Sequence, residues 1–111
     1  MTTMTSTRFT LTVPRAMNDG TPVLPQDRAE IESRLLALFG GFTVHGAAGA
    51  WQGETAAYRE TVGVYLLDCA GAGPDVDFRR VALMTVAKYV KVLLQQESVY
   101  VTESQLDRSF I

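Results

Sequence analysis

Apolar residues along this chain repeat with two periods. The order in which those periods alternate leaves very few folds open to it. In "RFTLTVPR", Arg8 to Arg15, the repeat is two: Phe9, Leu11 and Val13 point one way, Thr10 and Thr12 the other. That is a strand with one apolar face. Pro14 limits it, and "NDG" at 18–20 signals a turn in which Gly20 supplies a position for positive φ. In "LPQDRAEIESRLLALFGG" the repeat becomes helical. Pro25 suits a first turn, Asp27 and Glu30 have capping-box spacing, and Ile31, Leu35, Leu38 and Phe39 form one stripe. Gly40 is expected to stop this helix, because glycine adopts the left-handed conformation at little cost.

"FTVHG", Phe42 to Gly46, alternates again, with Phe42 and Val44 on one face and Thr43 and His45 on the other. "AAGAWQGETA" is expected to be an irregular crossing. "YRETVGVYLLDCA", Tyr58 to Ala70, is the longest strand. Val62, Val64 and Leu66 share one of its faces; Arg59, Thr61, Tyr65 and Leu67 share the other. Gly63, inside that strand, points to a bulge or to a close approach of other atoms. After a loop at 71–75, "VDFRRVALMTVAKYVKVLLQQE" is a second, longer helix. Phe78, Ala82, Val86, Tyr89 and Leu93 gather on one side, with Arg80, Met84, Lys88, Lys91 and Gln95 opposite. Leu83, Val90 and Leu94 widen the apolar arc beyond what a one-sided helix needs, which leaves surface for a partner. "SVYVTE", 98–103, is a last strand.

The order is therefore β-α-β-β-α-β. Two helices on one face of a four-stranded antiparallel sheet satisfy the right-handed crossover rule for both β-α-β units. This is an α+β fold of the ferredoxin-like kind, with the first and third strands central. It predicts one domain over 8–104, a polar N-terminal tail over 1–7, and a C-terminal tail over 105–111 whose Phe110 and Ile111 dock on the domain. The sheet face away from the helices is expected to carry Thr10, Thr12, Thr43, His45, Arg59, Thr61, Tyr65, Tyr100 and Thr102. A mixed polar and aromatic face is seldom left bare. It pairs with a second copy, a dimer being the commonest arrangement, or it holds a ligand.

Composition narrows the function classes. The chain has 111 residues, 47% hydrophobic and 20% charged, as a single soluble globular domain does. No apolar run approaches the roughly 20 residues of a membrane span. The start, "MTTMTSTRF", has no charged region followed by an apolar one and is not a secretory signal. The single Cys69 rules out an internal disulfide, fits a reducing cytoplasmic interior, and is expected to be a small buried hydrophobe. Cysteine and histidine are too few for a zinc site built on them. A net charge of −2 with scattered basic residues disfavours nucleic acid and leaves a small anionic ligand open.

The stretch "LFGGFTVHGAAGAW", Leu38 to Trp51, is the most site-like. Gly40, Gly41, Gly46 and Gly49 match neither GxGxxG nor GxxxxGK[ST], and no cofactor is implied. Gly40 also stands at the negative end of a helix dipole, the wrong sign for phosphate. Gly46 and Gly49 remain as places where backbone amides can approach a ligand. His45 has only Glu54 and Glu60 within reach as orienting carboxylates, at spacings that are not diagnostic of a base. Trp51 is either a plug over the sheet edge or a stacking platform for a planar ligand. Arg59, Tyr65 and Tyr100 make an aromatic-cationic group on the open face. The first strand offers Thr10 and Thr12 where RNA-recognition sheets carry aromatics. The candidate ligand-binding residues are thus His45, Trp51, Arg59, Tyr65 and Tyr100, with no catalytic or metal-ligating set.

"VPRAMNDG", "LFGGFT", "GAW", "YRETVGVY" and "QQESVYV", taken together over residues 8 to 102, resemble a group of small bacterial and phage proteins. In that group an Asp-Gly turn follows strand one, Phe-Gly-Gly-x-Thr closes the first helix, Gly-x-Trp follows, and Gln-Glu precedes the last strand. The group has no established activity, so the resemblance assigns no residue roles. The leading expectation is a non-catalytic, oligomeric domain that binds a partner or a small anionic ligand such as a nucleotide. A dimeric α+β barrel enzyme, using His45 or Tyr65 in an apolar pocket, and a purely structural oligomer are the alternatives.

Overall fold

The computed structural model describes residues 2–71 and 73–110; Met1, Ala72 and Ile111, with the docking expected of Ile111, lie outside the described residues. The elements are β1 (Thr2–Pro14), α1 (Pro25–Phe39), β2 (Thr43–Gln52), β3 (Ala57–Ala70), α2 (Pro74–Leu93) and β4 (Tyr100–Phe110). They form one antiparallel sheet in the order β2-β3-β1-β4, so β1 and β3 are central, with both helices on one face. The fold is ferredoxin-like, as the alternation of periods predicts.

The core lies between helices and sheet. Phe9, Leu11 and Val13 of β1 and Tyr65, Leu67 and Cys69 of β3 meet Ile31 and Leu35 of α1, Leu83 and Val90 of α2, and Leu94 at the C-cap of α2. Leu11 stands directly opposite Tyr65 in the register, so the two share a face. This corrects the expected orientation of β3. Tyr65, and with it Arg59 and Thr61, is on the helix side of the sheet, while Val64 and Leu66 share the open side with Thr10, Thr12, Thr43, His45, Tyr100 and Thr102. Both faces of β3 are apolar enough to pass for the core face, so alternation within the strand does not fix its sense.

α1 begins at Pro25 with Leu24 as an extended N-cap that makes no side-chain bond. Asp27 is therefore inside the first turn, three residues late for a capping box, and Glu30 pairs with Arg34 one turn on instead. Gly40 ends the helix as expected, at φ 75° with its N–H donating to the Leu36 carbonyl at 2.8 Å. α2 carries Pro74 at its start, Asp75 and Asp77 in the first turn and Lys91 in the last, all placed well for the helix dipole. Its buried line is Val76, Leu83, Val86, Ala87 and Val90. The residues expected to widen the arc are thus its centre, and Phe78 is 67% exposed.

Within the described residues both expected tails are strand. Thr2 pairs with Phe110 and Leu106 with Ser6, and the Thr3 and Ser109 hydroxyls bond at 2.8 Å. These segments are mostly polar and show no apolar alternation, although Ser6 and Thr7 are buried. The expected crossing after Gly46 is also strand: β2 continues to Gln52 and turns into β3 with the Gly53 N–H donating to the Ala56 carbonyl at 2.8 Å.

Candidate functional site

A cavity of about 60 Å³ opens where the end of β1 passes beneath α1. Val13, Pro14, Arg15, Val23, Arg28, Ile31, Glu32, Val44, Gly63 and Tyr65 line it. Each polar group is there for a local reason. Arg15 follows the last residue of β1 and is held by its backbone, donating to the Thr61 carbonyl at 2.9 Å and accepting from Val23 at 3.0 Å. Arg28 and Glu32 are four apart on α1 and share a face. Tyr65 comes up from β3 and donates its hydroxyl to Glu32 Oε2 at 2.6 Å, while Phe42 packs edge-on against its ring.

The floor of this site is bare backbone. Gly46 and Gly63 are opposite each other in the β2–β3 register. The Arg15 guanidinium lies over them: a Cβ on Gly46 would stand 3.2 Å from Arg15 Nη2, and one on Gly63 would stand 3.8 Å from Arg15 Nε. The tight approach is therefore at Gly46; around Gly63 the nearest atom is Val44 Cγ2 at 3.6 Å, and Arg15 stands at ordinary contact distance. Among the described residues neither Arg15 nor Arg28 forms an ion pair, whereas Arg8, Arg34 and Arg80 do. Burial first, and then the bond to Glu32, raises the Tyr65 phenol above its ordinary value; Arg28 and Arg15 pull it partly back. At neutral pH Tyr65 is a donor, and the two guanidinium groups confer positive charge on the opening.

The five residues singled out in the sequence are not brought together. His45 is exposed on the open face opposite Val64, and Tyr100 is 69% exposed on the same face opposite Thr12. Those two strands are the opposite edges of the sheet, roughly 14 Å apart at ordinary strand spacing. Trp51 stacks on Tyr58 across the β2–β3 hairpin, with centroids 4.4 Å apart. One of its ring faces is taken by Tyr58, and the residue is 50% exposed. Arg59 is exposed on the reverse side of that hairpin, opposite Ala50. Only Tyr65 reaches the cavity, and from the helix side.

Arg15, Arg28 and Glu32 were missed. Arg28 and Glu32 at helical spacing carried a signal, but exposed i, i+4 charges are ordinary on helices. Nothing local marks Arg15; its site exists only once two glycines have paired. Elsewhere on the open face Arg8 holds Asp68 through two bonds of 2.7 and 2.9 Å, and Cys69 is buried, its thiol pushed up mainly by desolvation.

No family model and no curated protein matches the sequence. Solved structures do match in fold. A phage SAM lyase in complex with S-methyl-5'-thioadenosine superposes with a TM-score of 0.62 at 14% identity, covering 96% of this chain and 90% of that one. The periplasmic divalent cation tolerance protein CutA from Archaeoglobus fulgidus follows at 0.60 and 13%, covering 95% and 87%. CutA1 from Oryza sativa gives 0.59 and 13%, covering 96% and 84%. At these identities the likeness is one of fold. Among the described residues no helix is long and apolar enough to cross a membrane.

Proposed function

We propose that this chain is a non-catalytic cytoplasmic domain that binds a small anionic ligand at Arg15 and Arg28 and works as an assembly of copies, a dimer in its simplest form. One observation carries the ligand reading. Two guanidinium groups without ion-pair partners among the described residues line one cavity with Gly63, whose register partner Gly46 leaves room for the Arg15 guanidinium. A volume of about 60 Å³ suits one phosphate or carboxylate group, since a single water needs only about 10–15 Å³ on the same measure. The rest of the ligand would extend over Gly63 and Val44. Planar guanidinium forks favour phosphate and carboxylate oxygens. Adenosine nucleotides are the first to try: they supply the anionic group, and the phage lyase of similar fold was solved with an adenosine derivative.

Thermal shift with phosphate, carboxylates and nucleotides at millimolar concentration tests this. A ligand at ten times its Kd adds about 1.4 kcal/mol, which moves Tm by roughly 4–8 °C for a domain of this size. The shift should vanish in the Arg15→Ala, Arg28→Ala double variant. If no compound moves Tm, the ligand reading is lost.

A second reading has an observation of its own. The Tyr65–Glu32 pair at 2.6 Å sits in the cavity wall, where a proton donor would have to sit for catalysis. An enzyme built on it would use that pair in place of His45. Consumption of S-adenosylmethionine by the wild type, lost in Tyr65→Phe, would establish it; no consumption at enzyme excess would discard it for that substrate.

Self-association draws on the open face, where Val64, Leu66 and the exposed Tyr100 have no helix over them. Light scattering decides it: a monomer at tens of micromolar contradicts it.

A further inference from the structure

The β2–β3 hairpin runs on beyond the rest of the sheet. β1 ends at Pro14, opposite Val62, and the Arg15 amide makes one more bond, to Thr61. From there to the turn, Ala57–Glu60 pair with β2 alone, and every residue from Ala57 to Thr61 is exposed. The molecule is drawn out to 48 Å against 26 and 25 Å in the other two directions. A two-stranded ribbon without a third strand or a helix is marginal in water. Here it has one internal support, the Trp51–Tyr58 stack, whose residues are still 50% and 45% exposed.

The outer edge of this ribbon is unprotected. β2 reads "TVHGAAGAWQ": no lysine, arginine, aspartate, glutamate or proline in ten residues. Exposed edges are ordinarily blunted by such residues, because their free N–H and C=O groups are a template for another strand. The other edge of the sheet, β4, does carry Glu103, Asp107 and Arg108. The centre of β2, Gly46 to Ala50, also has no side chain large enough to hold a neighbour off.

We propose that a second copy of this chain adds a strand to the β2 edge along Thr43–Gln52. This rests on the reading that copies of the chain associate, and it puts the contact on the β2 edge in place of the open face. A second copy fits better than a free peptide for two reasons. It presents strands already ordered, so docking loses little conformational entropy. Its own edge strands, ten residues in β2 and eleven in β4, match the length of the vacant edge. Pairing antiparallel to β2 continues the sense of every pair already in the sheet. The ribbon then has its third strand.

The test is the mass in solution of three proteins, by chromatography with light scattering. They are the wild type, the edge variant Ala48→Lys, Ala50→Lys, and the open-face variant Tyr100→Lys. The expected result is a multimeric wild type and a monomeric edge variant with unchanged far-ultraviolet circular dichroism. An edge variant that keeps the wild-type mass overturns the proposal. If the edge variant stays multimeric while Tyr100→Lys becomes monomeric, self-association stands and the β2 edge is excluded as its surface. A monomeric wild type removes both. Should the edge variant fail to fold, hydrogen exchange on the wild type still decides. Amides in Thr43–Gln52 without a β3 partner should be protected at high protein concentration and lose protection on dilution; rapid exchange at both overturns the proposal.

Discussion

Tyr65 shows how much one residue's meaning depends on which way its strand faces. Its hydroxyl donates to Glu32 Oε2 at 2.6 Å. Tyr65→Phe removes the donor and leaves a half-buried carboxylate without it, so unfolding in urea should show a loss of about 1–2 kcal/mol. A change below a few tenths would mean that water replaces the bond without loss. Gly46 makes a different prediction. A side chain there meets only the mobile end of Arg15, so Gly46→Val should leave stability nearly unchanged while pushing the guanidinium away. Any ligand found by thermal shift should then bind several-fold more weakly, and unchanged affinity would separate Arg15 from the site. Of these features Tyr65, Gly46 and Gly63 stand out in the sequence, but the bond to Glu32 and the arginine over Gly46 do not. A glycine inside a strand asks what fills its space, but cannot say that an arginine from β1 does.

For the elements, phase was harder to read than type. Both helices and all four strands follow from the period of their apolar residues. The rotation of α2 does not, because Phe78, Ala82, Val86, Tyr89 and Leu93 and the row through Leu83, Val90 and Leu94 are about equally apolar. Packing on β1 and α1 centred the helix on the second row, keeping Val86 of the first buried, Tyr89 and Leu93 at the margin, and turning Phe78 out. The two rows make opposite forecasts for mutation. Leu83→Ala should cost about 2–5 kcal/mol, as deletion from a filled core does. Phe78→Ser, at a surface position, should stay within about 0.5 kcal/mol. Chemical denaturation of both variants checks the phase, and a large loss at Phe78 would contradict it. The ends of β1, β2 and β4 were understated for a related reason. Thr2 to Thr7, Ala47 to Gln52 and Ser104 to Phe110 carry few large apolar side chains, so a period of two does not show there, even though Ser6 and Thr7 are buried.

At the scale of the molecule, two ion pairs tie separate parts together. Arg8 joins Asp68 across the central strands, and Arg80 joins β4 to α2 through Glu103 at 2.6 Å. Both carboxyls are held below their ordinary values, in each case first by the hydrogen bond from the arginine. A carboxyl lowered on folding adds stability that is complete above its unfolded value, about 4, and that is lost as pH falls through the folded one. Asp68→Asn with Glu103→Gln should therefore have a lower Tm than wild type at pH 7, and the gap should close as pH falls toward about 2. A gap that does not change with pH would show that the pairs contribute packing and not charge.

The topology was decided by the sequence itself. Periods of two and 3.6 in the order β-α-β-β-α-β, with glycine and proline between them, admit one antiparallel sheet with both helices on one side, because crossovers are right-handed. What only the tertiary structure decided was the sense of each face: that Tyr65 points to the helices, that Phe78 points away, and that Arg15 lies on paired glycines. Each of those is a choice between two nearly equal apolar surfaces, or a meeting of residues far apart in the chain. Local periodicity is blind to both, and packing across the sheet settles them.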